Sequence, residues 1–172
     1  LSINQVLTLK LDKLGYNPEP EYSPNSIHQM FNTGSPEVET CEFLYSLVKL
    51  QKPHRILETG TYAGLSTAYM TQALKDNGRE GSYVRSLEMD NAILEEFAKP
   101  LFDKLGLNSH IVLDFQDCNT YIPSEIYDFM FIDDSIQNRC SEIQRFTPSL
   151  SIGGLMVIHD MHNNFGLDPN FG

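Results

Sequence analysis

From Arg55 onward the sequence alternates between apolar runs of strand length and stretches with helical spacing. Arg55-Ile56-Leu57-Glu58 reads as a strand, and Leu65 to Leu74 as a helix. Tyr83 to Glu88 is a strand. Ala92 to Leu105 is largely helical, with a break expected at Pro100 and an end at Gly106. His110 to Leu113 is a strand, and Tyr127 to Asp133 is a strongly apolar one, as expected when both faces are covered. Cys140 to Leu150 is helical at least as far as Pro148, Gly153-Gly154 lies beyond its end, and Leu155 to Asp160 is the last strand. Strands that alternate with helices form βαβ units, which join into a parallel sheet through right-handed crossovers. The expected fold is therefore α/β, a doubly wound parallel sheet.

The segment before Arg55 reads differently. Ile3, Leu7, Leu11 and Leu14 have helical spacing, although Leu7, Leu9 and Leu11 also fit a strand; helix is the preferred reading. Residues 15–26, rich in Pro, Asn and Glu, read as loop. Ser35-Pro36-Glu37 has the form of a helix start, with Ser35 as cap, Pro36 at the first position and an acid in the first turn. That helix runs through Phe43, Leu44, Leu47 and Leu50 and should stop before Pro53. The 172 residues, 41% of them hydrophobic, suit one domain with a full core. Residues 1–52 form its N-terminal helical segment and loop, and 53–172 its sheet core.

Charge narrows the partners. The formal net charge is -11 and the pI near 4.7, a field that repels phosphate backbones, so no nucleic acid is expected. Arg79, Arg85, Arg139 and Arg145 form no cluster in sequence that would override this. No apolar run reaches membrane-spanning length, and Leu1 opens no signal-peptide pattern. Cys41, Cys118 and Cys140 are too few and too far apart for a disulfide framework or a zinc site. They point to a reducing, cytoplasmic setting.

Ligands of parallel sheets bind beyond the carboxyl ends of the strands. Glu58, Glu88, Asp133 and Asp160 each stand at such an end. Any one of them reads equally well as a helix cap; four at one rim favour a site. Glu58-Thr59-Gly60-Thr61-Tyr62-Ala63-Gly64 follows a strand and opens a helix. Gly60 would let backbone approach a ligand, and Gly64 would ease packing at the helix start. A dinucleotide fingerprint wants glycine where Tyr62 stands. Tyr62 would obstruct a pyrophosphate and Glu58 would repel one, whereas an ammonium group would welcome Glu58. Glu88, at the end of the next strand, can accept the hydroxyls of a ribose, a geometry that NAD folds share.

Leu57 to Thr67 resembles motif I of class I S-adenosylmethionine-dependent methyltransferases, closest to the catechol and caffeoyl-CoA O-methyltransferase group and its small bacterial relatives. The Ser35-Pro36-Glu37 helix, Phe131-Ile132-Asp133 and Gly153 to Asp160 are similar to that group as well. The resemblance implies a Rossmann-like sheet of strand order 3-2-1-4-5 and direct transfer of a methyl group to a small-molecule acceptor, at oxygen. It implies that Glu58 and Ser66 hold the amino and carboxylate groups of the methionine moiety, that Gly60 and Tyr62, with Gly64 behind them, line the sulfonium end, that Glu88 binds the ribose, and that Asp117 and Cys118 lie beside the adenine.

The resemblance further implies Mg²⁺ or another divalent cation at Asp133 and Asp160. The family's third ligand is often an Asn directly after the second Asp, but here that residue is Met161. Asn163, Asp134, His159, His162 or additional water would have to close the shell. The family's Lys, three residues after the first Asp, is replaced by Ile136, so the general base is either another residue, such as His159 or His162, or absent. Twelve residues follow Asp160, too few for the antiparallel hairpin that ends the family sheet, so the hairpin is expected to be lacking or truncated. A bare last strand would then seek cover in a homodimer or in the N-terminal segment. Two other functions remain open: a non-catalytic S-adenosylmethionine-binding scaffold and an NAD-dependent oxidoreductase.

Overall fold

The computed structural model describes residues 35–160. The expected helix at residues 2–14, the loop at 15–26, His162 and Asn163 lie outside them. Within them, α1 spans Val38–Gln51, β1 Arg55–Thr59, α2 Leu65–Asn77 and β2 Tyr83–Glu88. The helix α3 is built from Asn91–Ile93, a π-helical stretch Leu94–Ala98 and Lys99–Leu105. Then come β3 Ile111–Phe115, β4 Tyr127–Ile132, α4 Arg139–Phe146 and β5 Leu150–Ile158.

The five strands form one sheet in the order β3-β2-β1-β4-β5, every neighbouring pair parallel. This is the expected order. The strands bury side chains on both faces. Ile56, Val84, Phe129 and Phe131 meet Leu44 and Val48 of α1 and Met70, Ala73 and Leu74 of α2. Leu57, Leu87, Met130 and Ile132 meet Tyr121, Tyr127 and Phe146 on the other side. Each fully buried Leu, Ile or Phe stabilises the fold by about 1.5–3 kcal/mol, so the covered sheet is what holds the rim in place.

Three boundaries differ from the expectation. First, α1 starts at Val38, so Ser35 does not cap it and Pro36 does not open it. Glu37 takes the cap position, but its carboxylate accepts from Thr40 Oγ1 at 2.9 Å and reaches His159 rather than a helix amide. Second, Pro100 does not break α3. The π-helical stretch lies directly before it, and the widened turn accommodates the missing N–H. Third, β5 begins at Leu150, because the helix has already given way to a short turn at Thr147–Ser149. Gly153-Gly154 is therefore inside a strand, where the pairing shifts from Tyr127↔Leu150 to Phe129↔Leu155. As expected, α1 ends at Gln51 before Pro53, with Lys52 in the left-handed conformation.

Candidate functional site

The loop between β1 and α2 is tied down from several sides. The N–H groups of Gly60 and Thr61 donate to the Leu87 carbonyl at 3.1 and 3.2 Å. Gly60 has φ +82°, and a Cβ there would stand 2.4 Å from the Asp133 carbonyl oxygen. Its glycine is thus required by the close approach of the β4 end, not only by a ligand. Gly64 behaves as expected: a Cβ would meet the Phe102 ring at 2.6 Å, so the absence of a side chain lets α2 start against α3.

Glu88 is aimed by backbone. Its Oε2 accepts from the Tyr62 N–H at 2.8 Å, and its Oε1 from Met89 and Asp90 N–H at 2.9 and 3.0 Å. A carboxylate offers about four acceptor sites, so these three bonds leave room on Oε2 for one further hydroxyl. Glu88 lines a small open cleft together with Gly60, Leu87, Met89, Gln116, Cys118 and Asp134.

Asp117 is not part of that lining. Its Oδ1 accepts from the backbone and side-chain nitrogens of Asn119 at 2.8 and 3.0 Å, an Asx turn that holds the loop after β3. Its neighbours Gln116 and Cys118 face the cleft instead. The Cys118 Sγ donates to Asp134 Oδ2 at 2.9 Å, and Asn138 Nδ2 donates to the same oxygen at 2.7 Å. Burial pushes Asp134 up, yet these bonds outweigh it and hold the carboxyl below its ordinary range. Burial and Asp134 together drive the Cys118 thiol far up, so it is a neutral donor rather than a nucleophile.

Glu58 corrects the sequence expectation. It is 0% exposed. Ser66 Oγ donates to its Oε1 at 2.5 Å, Ser86 Oγ to its Oε2 at 2.6 Å, and Thr67 Oγ1 also to Oε2. Burial raises its pKa to about 7 against the pull of those hydroxyls. A carboxylate with no exposed surface cannot meet an ammonium group directly. Glu58 and Ser66 instead pin the start of α2 to β1 and β2, and so place the loop.

The second part of the rim, beyond β4 and β5, is a closed network of charges. Asp133 Oδ1 accepts from His159 Nδ1 at 2.9 Å and from Arg139 Nη2 at 3.1 Å. His159 Nε2 meets Glu37 Oε2 at 3.0 Å. Arg139 also donates to the His159 and Asp134 carbonyls, and its Nη2 lies 3.9 Å from Asp160 Oδ2. Burial lowers the His159 pKa, but hydrogen bonds to Asp133 and Glu37 and the charges of Asp133 and Asp160 raise it overall to about 9. The ring is therefore protonated near neutral pH and carries no lone pair. This corrects its reading as a general base. Asp133 is pushed up by burial, with His159 and Arg139 opposing.

The expected metal site does not fit this arrangement. A hard cation needs carboxylate oxygens free to face it. Asp133 Oδ1 already holds a guanidinium and an imidazolium, and His159 offers no lone pair. Glu37, His159 and Asp160 do bring one potential ligand atom each within 4.8 Å of one another, but Glu37 and His159 use those atoms on each other. Cys118, Asp134 and Glu142 form a similar cluster, in which the thiol keeps its proton to donate.

Sequence reading missed Arg139, Met89 and Gln116. Arg139 did leave a signal: a cation at the start of a helix opposes the helix dipole and calls for nearby carboxylates. Met89 and Gln116 stand beside Glu88 and Cys118, but nothing in their residue types marks them.

The family model for a methyltransferase domain matches residues 57–161, the span that holds both parts of the rim up to Asp160. No curated protein sequence matches the chain significantly. Among solved structures, the SAH-bound O-methyltransferase of Bacillus cereus superposes with a TM-score of 0.68 at 21% identity, over 90% of this chain and 64% of that one. The SAH-bound methyltransferase PaMTH1 of Podospora anserina gives 0.71 at 16% identity, over 90% and 61%. The SAM-bound O-methyltransferase TomG of Streptomyces achromogenes gives 0.67 at 15%, over 92% and 66%. The chain spans just under two thirds of each of these proteins. At such identities the likeness establishes the fold, and the family model, which covers more than half of the 172 residues, goes further: the chain belongs to the methyltransferase domain family.

Proposed function

We propose that this domain binds S-adenosylmethionine and transfers its methyl group to a small-molecule acceptor at oxygen. One observation carries the reading: Glu88 stands at the end of β2, aimed by three backbone N–H groups, in the wall of a cleft. Its free acceptor site on Oε2 takes a ribose hydroxyl. Met89 and Gln116 flank a planar base, and Asp134 and Cys118 close the cleft behind it. Gly60 and Tyr62 lead from the cleft toward Asp133, the path for the methionine end. When bound, the cofactor supplies an electrophilic sulfonium methyl group; the chain supplies in-line positioning and exclusion of water. The O-methyltransferase neighbours and the family match support this reading.

Calorimetry with S-adenosylmethionine and S-adenosylhomocysteine tests it, with NAD as the control. Micromolar binding that Glu88→Ala weakens tenfold or more is the expected result, and binding of NAD alone would overturn the reading. A second reading, a domain that binds the cofactor without catalysis, has one observation in its favour. Neither ring nitrogen of His159 is free to take a proton from an acceptor. Assaying methyl transfer to phenols, catechols and sugars separates the two. The proposal includes a homodimer through the β5 edge, to be tested by light scattering. It also includes a cytoplasmic setting, supported by the free thiols of Cys41, Cys118 and Cys140. No described helix is long and apolar enough to cross a membrane.

A further inference from the structure

We propose that the guanidinium of Arg139 holds the cation position of this rim, so that Asp133 and Asp160 are neutralised from within the chain and divalent metal is excluded. Four observations converge. The Arg139 side chain is 3% exposed, and its Nη2 lies between Asp133 Oδ1 and Asp160 Oδ2, at 3.1 and 3.9 Å. Burying a guanidinium without carboxylate partners would cost several kcal/mol, so its place is set by these acids. Next, Arg139 is the first residue of α4, where the helix dipole disfavours a cation. The helix gains nothing from a positive charge there; the rim does.

Third, Asp160, two residues beyond β5, takes a left-handed backbone conformation, φ +52°, with its Oδ2 at 3.9 Å from Arg139 Nη2 and 3.4 Å from His159 Nδ1. Asp tolerates that region better than most residues. Fourth, Arg139 Nη1 donates to the His159 carbonyl and Nη2 to the Asp134 carbonyl at 3.1 Å. The planar fork is thus bonded to the ends of both strands, a geometry that a point charge such as Lys could not reproduce. A divalent ion placed between Asp133 and Asp160 would stand within contact distance of this guanidinium and would have to expel it.

The consequence for chemistry rests on the methyltransferase reading: activation of the acceptor by a bound metal is absent, and transfer survives chelation. The exclusion of metal itself does not rest on that reading and is tested without any cofactor. The 172-residue chain is titrated with Mn²⁺ alone, followed by electron paramagnetic resonance of the free ion. The wild-type chain is expected to show no saturable binding at this rim up to millimolar Mn²⁺. Arg139→Gln, which keeps a polar side chain but removes the charge, is expected to gain saturable binding at least tenfold tighter, and Asp133→Asn in that background to abolish it.

Wild-type binding that Asp133→Asn abolishes would overturn the proposal. So would a folded Arg139→Gln variant, judged by circular dichroism, that binds no Mn²⁺. Wild-type binding that survives Asp133→Asn lies elsewhere and leaves the exclusion standing. Should Arg139→Gln fail to fold, the wild-type and Asp133→Asn titrations decide alone by the same criteria. Failure of S-adenosylmethionine binding in calorimetry would sink the functional reading and leave this result untouched.

Discussion

The β2 end and the β4–β5 end of the same sheet treat their carboxylates in opposite ways. Glu88 is gripped by backbone N–H groups, which orient it without neutralising it, and it keeps an acceptor site facing a cleft. Asp133 is gripped by Arg139 and His159, which orient it and neutralise it together. Backbone donors leave a charge available to a ligand; side-chain cations consume it. An acid at the carboxyl end of a strand is therefore a recognition group or a structural ion-pair member according to what faces it.

The largest effect should come from breaking the closed end. Asp133→Ala leaves Arg139 buried beside only the distant, 54% exposed Asp160 side chain. Removing one partner of a buried ion pair costs about 3–5 kcal/mol. Urea unfolding should show that loss, and a loss below 1 kcal/mol would mean that the network is not holding β4 to β5.

Next is the hinge between the two ends. Gly60→Ala drives a Cβ to 2.4 Å from the Asp133 carbonyl oxygen and 2.9 Å from its carbon, both backbone atoms, at φ +82°. Strained backbone and overpacking each cost about 1–3 kcal/mol. Gly78→Ala is the control, since at φ +67° it meets nothing within 4 Å and bears the backbone strain alone. If the two variants unfold at the same urea concentration, the contact between β1–α2 and the β4 end is looser than the geometry states.

The open end should respond in affinity instead. Glu88→Ala removes a charged acceptor, worth about 1.5–3 kcal/mol, or roughly tenfold to a hundredfold in S-adenosylmethionine affinity. The same variant should lose less stability than Asp133→Ala. A reversed order would mean that the two ends had been assigned the wrong way round.

These contrasts mark how far the sequence could be read. The parallel strands and the two-sided core follow from periodicity and apolar runs, which are local signals, and Gly64 follows from its place at a helix start; the strand order came from the resemblance to the methyltransferase group. Glu88 was legible because it ends a strand next to motif I. The fate of Glu58 was not, because three hydroxyls from Ser66, Thr67 and Ser86 close over it only when α2 and β2 are in place. Arg139 lies six residues from Asp133 and 21 from Asp160 in sequence, and only the β4–β5 pairing brings both acids to it. The start of β5 was missed because Gly153-Gly154 looks like a loop and is a bulge inside a strand.

The smallest expected effect is a pair of pH dependences that separate the ends once more. Glu58 titrates at about 7 in the folded chain, above its ordinary value. A raised pKa means that the folded state holds its proton more tightly, so this contribution to stability is full below about 4.3 and fades as pH rises through 7. His159 is raised likewise, to about 9, so its contribution is full below about 6.5 and fades as pH rises through 9. Thermal unfolding between pH 4 and 10 should therefore differ from Glu58→Gln in the lower window and from His159→Gln in the upper one. A difference on the order of 1 kcal/mol corresponds to about 2–4 °C in Tm for a chain of this size. The imidazole signal of His159 in NMR should titrate near 9 and shift downward in Asp133→Asn. If His159 instead titrates near its ordinary value, its ring does not carry the charge that Asp133 and Glu37 are arranged to meet. Among the described residues, Arg139 would then be the cation between Asp133 and Asp160, and the closed end would be held by one positive charge rather than two.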